Sequence, residues 1–392
     1  MSMDGKTALI KLVSTAENGK ERSRDITLPA SRIRGYPFRD SESSQSFHAI
    51  MKLAEEAGGI KVDWRTHYEG HELKRIRLLD VRKLTEFLGI SYRPDEVNAF
   101  FADLNRQGLP NWLDVCLDEL QVAWYSGKAL YGMKWQEASL LADVLKSIAL
   151  LDSQPLEHTL DYRQFGARVL GNSKRTRQIE KPVAAIFRHY WQADNWSDRD
   201  VMQELNIVPM AHPVLLRGPI NIRVENNLVK ADIVPYIGLH DSCLDNIELI
   251  ESPAYVLTIE NLSSFNEYTQ KIHDGGMILY TGGFPTKAFQ RFYGVLLEKI
   301  EKRVNVWHWG DTDPHGYMIL KTLQGQSTKR MVMPHLMSQE QGAEYSKAAL
   351  RELKRIQPIN QMVDVMLDSI VVRGNGLIEQ EEIEAESPLI FK

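Results

Sequence analysis

Three carboxylates stand where a parallel sheet would present them. Glu260 directly follows the apolar run Tyr255–Ile259 (YVLTI), and Asp311 and Asp313 follow Val304–Trp309 (VNVWHW) after a single glycine. Both runs are short, rich in β-branched or aromatic residues, and read as buried parallel strands. Ligands of open α/β sheets gather at the carboxyl ends of the strands, so the three acids are expected to converge. Like charges raise one another's pKa, and a divalent cation removes that conflict. Oxygen donors alone suit a hard ion, Mg²⁺ or Mn²⁺, which keeps positions for water and phosphate. Such a centre activates water and stabilises phosphoryl charge. A lone DxD is short and common, and each acid has a plainer reading as a strand-end cap. The joint order of strand–Glu, then strand–Gly–Asp–x–Asp, is the specific signal. His308 and His315 flank the acids, as outer contacts to the ligands or to phosphate, or as packing residues.

The elements that must position these acids follow a regular alternation. After Tyr255–Ile259 comes a helical stretch from Phe265 to Ile272, then the strand Met277–Tyr280 and the loop Thr281-Gly282-Gly283. A helix over Ala288–Ile300 leads into Val304–Trp309, a further helix runs from Tyr317 to Leu323, and Met331–Met333 closes the series. Strand–helix alternation at this spacing marks a parallel α/β sheet. No GxxxxGK[ST] or GxGxxG occurs, so an NTPase or dinucleotide enzyme has no support. Zinc is disfavoured because no His/Cys cluster surrounds the acids.

Upstream, charge is concentrated. Residues 160–190 carry seven basic side chains (Arg163, Arg168, Lys174, Arg175, Arg177, Lys181, Arg188) against Asp161 and Glu180. A helix from Ile179 to Trp191, a short helix capped by Ser197 and Asp200, and strands over Val214–Arg217, Asn221–Val224 and Leu228–Ala231 follow. Asn226-Asn227 is the expected hairpin turn. Helices closed by a β-wing behind a basic loop describe a winged-helix unit that contacts nucleic acid, with Gly171-Asn172-Ser173-Lys174-Arg175 as the phosphate-seeking loop. A solvated basic loop is the plainer alternative. Residues 1–45 read as an irregular or weakly stranded lead-in. A helix through Ala49 to Ala57, a hairpin over Ile60–Trp64 and Leu73–Leu78, and a helix ending at Gly89 then suggest a small winged-helix-like arm, followed by two amphipathic helices.

Composition bounds the rest. The chain has 392 residues, 43% hydrophobic and 25% charged, with a formal net charge of −5. It is globular, and any nucleic-acid surface must be local. No run of about 18 uncharged apolar residues exists, so no membrane span is expected, and the first residues lack a signal-peptide core. Cys116 and Cys243 lie far apart within apolar patterns, which fits a reducing cytosol. Glu379, Glu381, Glu382, Glu384 and Glu386 form an acidic run near the end. It reads as a solvated tail, with competition against DNA for the basic segment as the alternative.

The pattern resembles a known family. Tyr255–Asn261 followed by Trp309-Gly310-Asp311-Thr312-Asp313-Pro314-His315-Gly316 looks like a Toprim domain, whose signature is a Glu on one strand and a DxD on a later one. The DxDPHG form is similar to the A subunit of topoisomerase VI and its meiotic relatives. Arg163-Gln-Phe and Glu260-Asn-Leu-Ser-Ser-Phe265 extend the similarity to the JetD family, nuclease subunits of Wadjet plasmid-defence systems. The resemblance is strongest over residues 160–335. It implies a multidomain α+β protein: an N-terminal helical, winged-helix-like arm (1–155), a central CAP-like winged-helix domain (156–245), and a C-terminal α/β Toprim domain with a parallel sheet and the acidic tail (246–392). It further implies a cytoplasmic bacterial endonuclease, dependent on Mg²⁺ or Mn²⁺ and acting as a homodimer on closed circular double-stranded DNA. An SMC-like JetABC complex is the implied partner. Glu260, Asp311 and Asp313 become the metal ligands and catalytic residues, and Arg163, Arg168, Lys174, Arg175 and Arg177 the DNA-facing set. Topoisomerase VI uses a nucleophilic tyrosine in an Arg-rich Tyr-Tyr context. Here the candidates are Tyr162 and Tyr190, neither in that context, and Tyr190 reads as core. Hydrolysis by water is therefore the leading expectation, with tyrosine transesterification or a non-catalytic DNA-docking adaptor as alternatives.

Overall fold

Alternation of short apolar runs with amphipathic stretches produces a mixed α/β protein with several sheets, parallel strands among them. The computed structural model describes residues 4–18, 26–66, 68–244, 246–327, 329–338 and 342–391. The chain divides into two compact units, Met1–Ala149 and Leu150–Lys392.

In the first unit the hairpin Ile60–Trp64 and Leu73–Leu78 forms as the alternation predicts, and Thr27–Pro29 adds antiparallel to its second strand. The lead-in is more ordered than its polarity suggested. Gly5–Asn18 is a helix, because Ala8, Leu9, Leu12 and Val13 fall on one face and are buried against Phe47, Met51 and Ile76. The next helix starts at Ser41, eight residues before the apolar stripe becomes visible at Ala49, since Asp40 caps it by accepting from Ser43 N at 2.6 Å. The Ser-rich stretch is thus a helix start. Residues 1–3 and 19–25 lie outside the described residues.

The second unit is built on a six-stranded sheet. Its strands in chain order are β1 (Val214–Arg217), β2 (Ile237–Leu239), β3 (Tyr255–Ile259), β4 (Met277–Tyr280), β5 (Asn305–Trp309) and β6 (Val332–Pro334), and across the sheet they run β6-β5-β3-β4-β1-β2. Strands β3, β4, β5 and β6 are parallel, while β1 joins antiparallel to β4. All five residues of β3 are buried, as expected for a strand covered on both faces. Helices α4 (Leu262–Lys271), α5 (Lys287–Lys299) and α6 (Pro314–Gln326) connect the parallel strands. Preceding them are α1 (Tyr162–Leu170), α2 (Thr176–Trp191) and α3 (Asp198–Glu204).

Two details of the strand reading change. Val214–Arg217, expected beside the hairpin that follows it, pairs with Met277–Tyr280 of the main sheet instead. The hairpin Ile220–Val224 with Asn227–Lys230 pairs Val224 with Asn227, so its turn is Glu225-Asn226, one residue earlier than expected, with Glu225 at φ +53°. Turn chemistry fixes register only when one face is buried, and three of the four residues of Asn227–Lys230 are exposed. Leu257, fully buried at the centre of β3, holds the sheet that carries the acids. Leu257→Ala should lower unfolding free energy by about 2–5 kcal/mol, measured by chemical denaturation. A loss below about 1 kcal/mol would contradict this packing.

Candidate metal centre

Each acid reaches the sheet edge for a local reason. Glu260 ends β3, with its main-chain N donating to Trp309 O at 3.0 Å, so the two central strand ends are locked side by side. Gly310 follows β5 because nothing larger fits. A Cβ there would lie 2.7 Å from Glu260 Oε2 and 2.8 Å from His308 Nε2. Asp311 N lies 3.4 Å from the same Glu260 oxygen. Thr312 is fully buried; its Oγ1 donates to Gly376 O at 2.8 Å and its N donates to Ile378 O at 3.2 Å. Pinning the middle residue turns Asp311 and Asp313 outward. Asp313 caps α6 by accepting from Gly316 N at 2.8 Å, and Gly316 is required because a Cβ would meet Asp311 O at 2.1 Å.

A cavity of about 440 Å³ opens beside these residues, lined by Glu260, Asp311 and His315 and by Arg199, Asp200 and Tyr280. Burial, and next the Asp311 charge, push Glu260 up to about 7. Asp311 is raised mainly by burial, with Asp313 and Glu381 adding to it against a lowering hydrogen bond from Gln380. The donor set contains only oxygens, and burial beside other carboxylates raises the pKa of Glu260 and Asp311. It therefore fits a hard divalent ion. Among the described residues, however, the one group of three ligand atoms within 4.8 Å of one another is Asp311, Glu379 and Glu381.

Glu260 offers a pH test. Its folded pKa of about 7 lies above its ordinary value of 4.5, so the native state holds the proton more tightly. That contribution is fully present below pH 4.5 and is lost as pH rises through about 7. Metal-free protein should therefore lose stability relative to Glu260→Gln between pH 5 and pH 8, read as melting temperatures of both across the range. A gap that does not move with pH would refute the burial assignment.

The remaining expected residues separate clearly. His315 Nε2 donates to Asp200 Oδ1 at 3.0 Å, and its Nδ1 lies 3.8 Å from Glu260 Oε1, so it bridges α3 to the acids. The Asp200 partner raises its pKa. His308 lies inside the sheet, fully buried, with Nδ1 2.9 Å from Thr258 Oγ1. Arg163, Arg168, Lys174 and Arg177 are exposed on α1, α2 and their connection, and Arg175 is half-buried with Nη1 donating to Gln178. Arg188, counted with the basic segment, pairs with Asp198. Tyr190 is 46% exposed, so its assignment to the core is corrected: α2 turns that position outward after Phe187. Tyr162 is buried, and its burial raises the hydroxyl's pKa.

Sequence reading missed Arg199, Asp200 and Tyr280 at the cavity. Asp200 had been seen only as a cap, which it is, its Oδ2 accepting from Ser197 N at 2.8 Å. The five glutamates of the acidic run are exposed, as a solvated run predicts, but the run is not a free tail: Gln380 is fully buried and its N donates to Asp311 Oδ1 at 2.7 Å.

Residues 220–388 match the family model described as Wadjet protein JetD, C-terminal. A curated relative, Wadjet protein JetD of Bacillus cereus (strain Q1), is 26% identical over 185 residues, which is 46% of this chain and 44% of the relative. The aligned part thus spans less than half of that JetD protein's length. The matched region holds Glu260, Asp311 and Asp313 as well as the acidic run, and it leaves out α1, α2 and the basic loop. Among the described residues, no helix is long and apolar enough to cross a membrane.

Proposed function

We propose that this protein is a divalent-metal-dependent DNA endonuclease of a Wadjet defence system, hydrolysing closed circular DNA. The observation that carries the reading is the meeting of Glu260 and Asp311 at adjacent parallel strand ends, within a region that matches JetD. Glu260, Asp311 and Asp313 would hold Mg²⁺ or Mn²⁺. The bound ion supplies activation of water and neutralisation of phosphate charge. The chain's own residues do the remaining work. Gly310 lets the two strand ends approach, and the buried Thr312 keeps the two aspartates pointing outward. His315, held by Asp200, carries a proton beside Glu260. Arg163, Arg168, Lys174, Arg175 and Arg177 supply positive charge for duplex backbone contacts that position without reading sequence. Homodimerisation, a cytoplasmic location and recruitment by an SMC-like JetABC complex belong to the same proposal.

A second reading has one observation in its favour. Tyr280, half-buried, lines the cavity that holds Glu260, whereas Tyr162 is buried and Tyr190 lies outside that lining. A tyrosine transesterase would therefore use Tyr280. The test is incubation of purified protein with supercoiled plasmid and Mn²⁺ or Mg²⁺, alone and with the partner complex. Glu260→Gln and Tyr280→Phe are run beside it. Cutting lost in the first variant and kept in the second supports hydrolysis. A protein–DNA adduct that disappears in Tyr280→Phe supports transesterification. No cutting by wild type under any of these conditions leaves a DNA-docking adaptor.

A further inference from the structure

Glu379 and Glu381 stand together with Asp311, each of the three offering a carboxylate oxygen within 4.8 Å of the other two. The first two come from the acidic run that the chain lays against the strand ends. The run is oriented, not merely close. Gln380 N donates to Asp311 Oδ1 at 2.7 Å, and Asn261 Nδ2 donates to Glu381 Oε1 at 2.5 Å. Each of those carboxylates keeps a second oxygen. Both glutamate side chains are exposed, so an ion can reach them.

These bonds hold the run but do not by themselves name a ligand. Gln380, between the two glutamates, does. Its side chain is fully buried, its Oε1 accepts from Asn261 N at 3.0 Å, and its Nε2 has no hydrogen-bond partner among the described residues. Oε1 and Nε2 share one carbon, so the unpaired donor lies beside Asn261, the residue after Glu260. A buried N–H left unpaired is costly and calls for an explanation. A water or phosphate oxygen held by an ion is an acceptor that would satisfy it. His308 Nε2 is a second buried nitrogen with no hydrogen-bond partner among the described residues, and it faces Gly310 and thus Glu260 Oε2.

We infer that Glu379 and Glu381 bind a divalent cation with Asp311, so the acidic run completes the metal centre and Asp311 is shared with the Glu260 side. The inference rests on the metal-dependent reading above and adds a second ion position to it. Hard ions of this class take carboxylate oxygens at partly hydrated sites open to substrate phosphate.

The test is Mn²⁺ binding to the full chain, followed by electron paramagnetic resonance with and without a short DNA duplex. Wild type should bind two ions. Glu379→Gln combined with Glu381→Gln should lose one, or weaken it at least tenfold, while the other stays; Glu260→Gln should weaken the other. Metal-free melting curves check the fold, and the exposed single variant Glu379→Gln serves if the double variant fails to fold. Unchanged stoichiometry and affinity in these variants, with Glu260→Gln still weakening binding, would overturn the inference and leave the nuclease reading intact. Absence of Mn²⁺ binding by wild type, with and without DNA, would overturn both.

Discussion

Replacing Glu260 by Gln is expected to reduce plasmid cleavage by on the order of 10³-fold or more while DNA affinity stays within about threefold. A bound metal ion contributes several kcal/mol of charge stabilisation in such reactions, and each 1.4 kcal/mol or so is tenfold in rate. The amide keeps the shape and an oxygen acceptor for Asp311 N, but it removes the charge that holds the ion. Glu260 is 12% exposed, and its ionised form is disfavoured by this partial burial and by Asp311. The neutral variant should therefore fold at least as well as wild type at pH 8, so lost cutting cannot be assigned to lost structure. Plasmid nicking and linearisation are scored on gels beside a filter-binding isotherm. Cleavage within tenfold of wild type would remove Glu260 from the reaction.

The second large effect is expected at the connection between α1 and α2. Lys174 and Arg177 are exposed, and Arg175 is half-buried with its Nη1 donating to Gln178 Oε1. Each lysine or arginine that neutralises a phosphate contributes about −0.9 to the slope of log affinity against log salt. Lys174→Ala, Arg175→Ala and Arg177→Ala together should flatten that slope by about 2 to 3 and weaken binding about 10- to 100-fold near 0.15 M salt. Surface substitutions of this kind leave stability within about 0.5 kcal/mol. The loss should be equal for unrelated DNA sequences, because backbone contacts position the duplex without reading bases. An unchanged salt slope would show that these cations face elsewhere.

How far the sequence carries is clearest at particular residues. Tyr255–Ile259, Met277–Tyr280 and Asn305–Trp309 were visible because buried parallel strands need continuous apolar runs. Glu260, Asp311 and Asp313 stood out because each breaks that pattern just past a strand. Ser197 and Asp200 form the expected reciprocal cap. Local rules of period and capping decide such features, and they act over a few residues.

What tertiary structure alone decided lies at long sequence separation. Gly5–Asn18 looked irregular because its apolar face is narrow and only packing against the helices Ser41–Glu56 and Val81–Leu88 rewards it. Tyr190 looked apolar until α2 turned it outward. Asp200 read as a cap and is also the partner of His315, 115 residues away. The acidic run read as solvated because five glutamates in eight positions suggest water, yet Gln380 buries itself between Asn261 and Asp311. Contacts of that kind depend on loop closure over a hundred residues, which no local pattern of charge or hydrophobicity encodes. The four parallel strands and the three acids beside them are legible in residue types and spacing. The fold determined which further residues meet them, because only the closed chain brings α3 and the acidic run to the same strand ends.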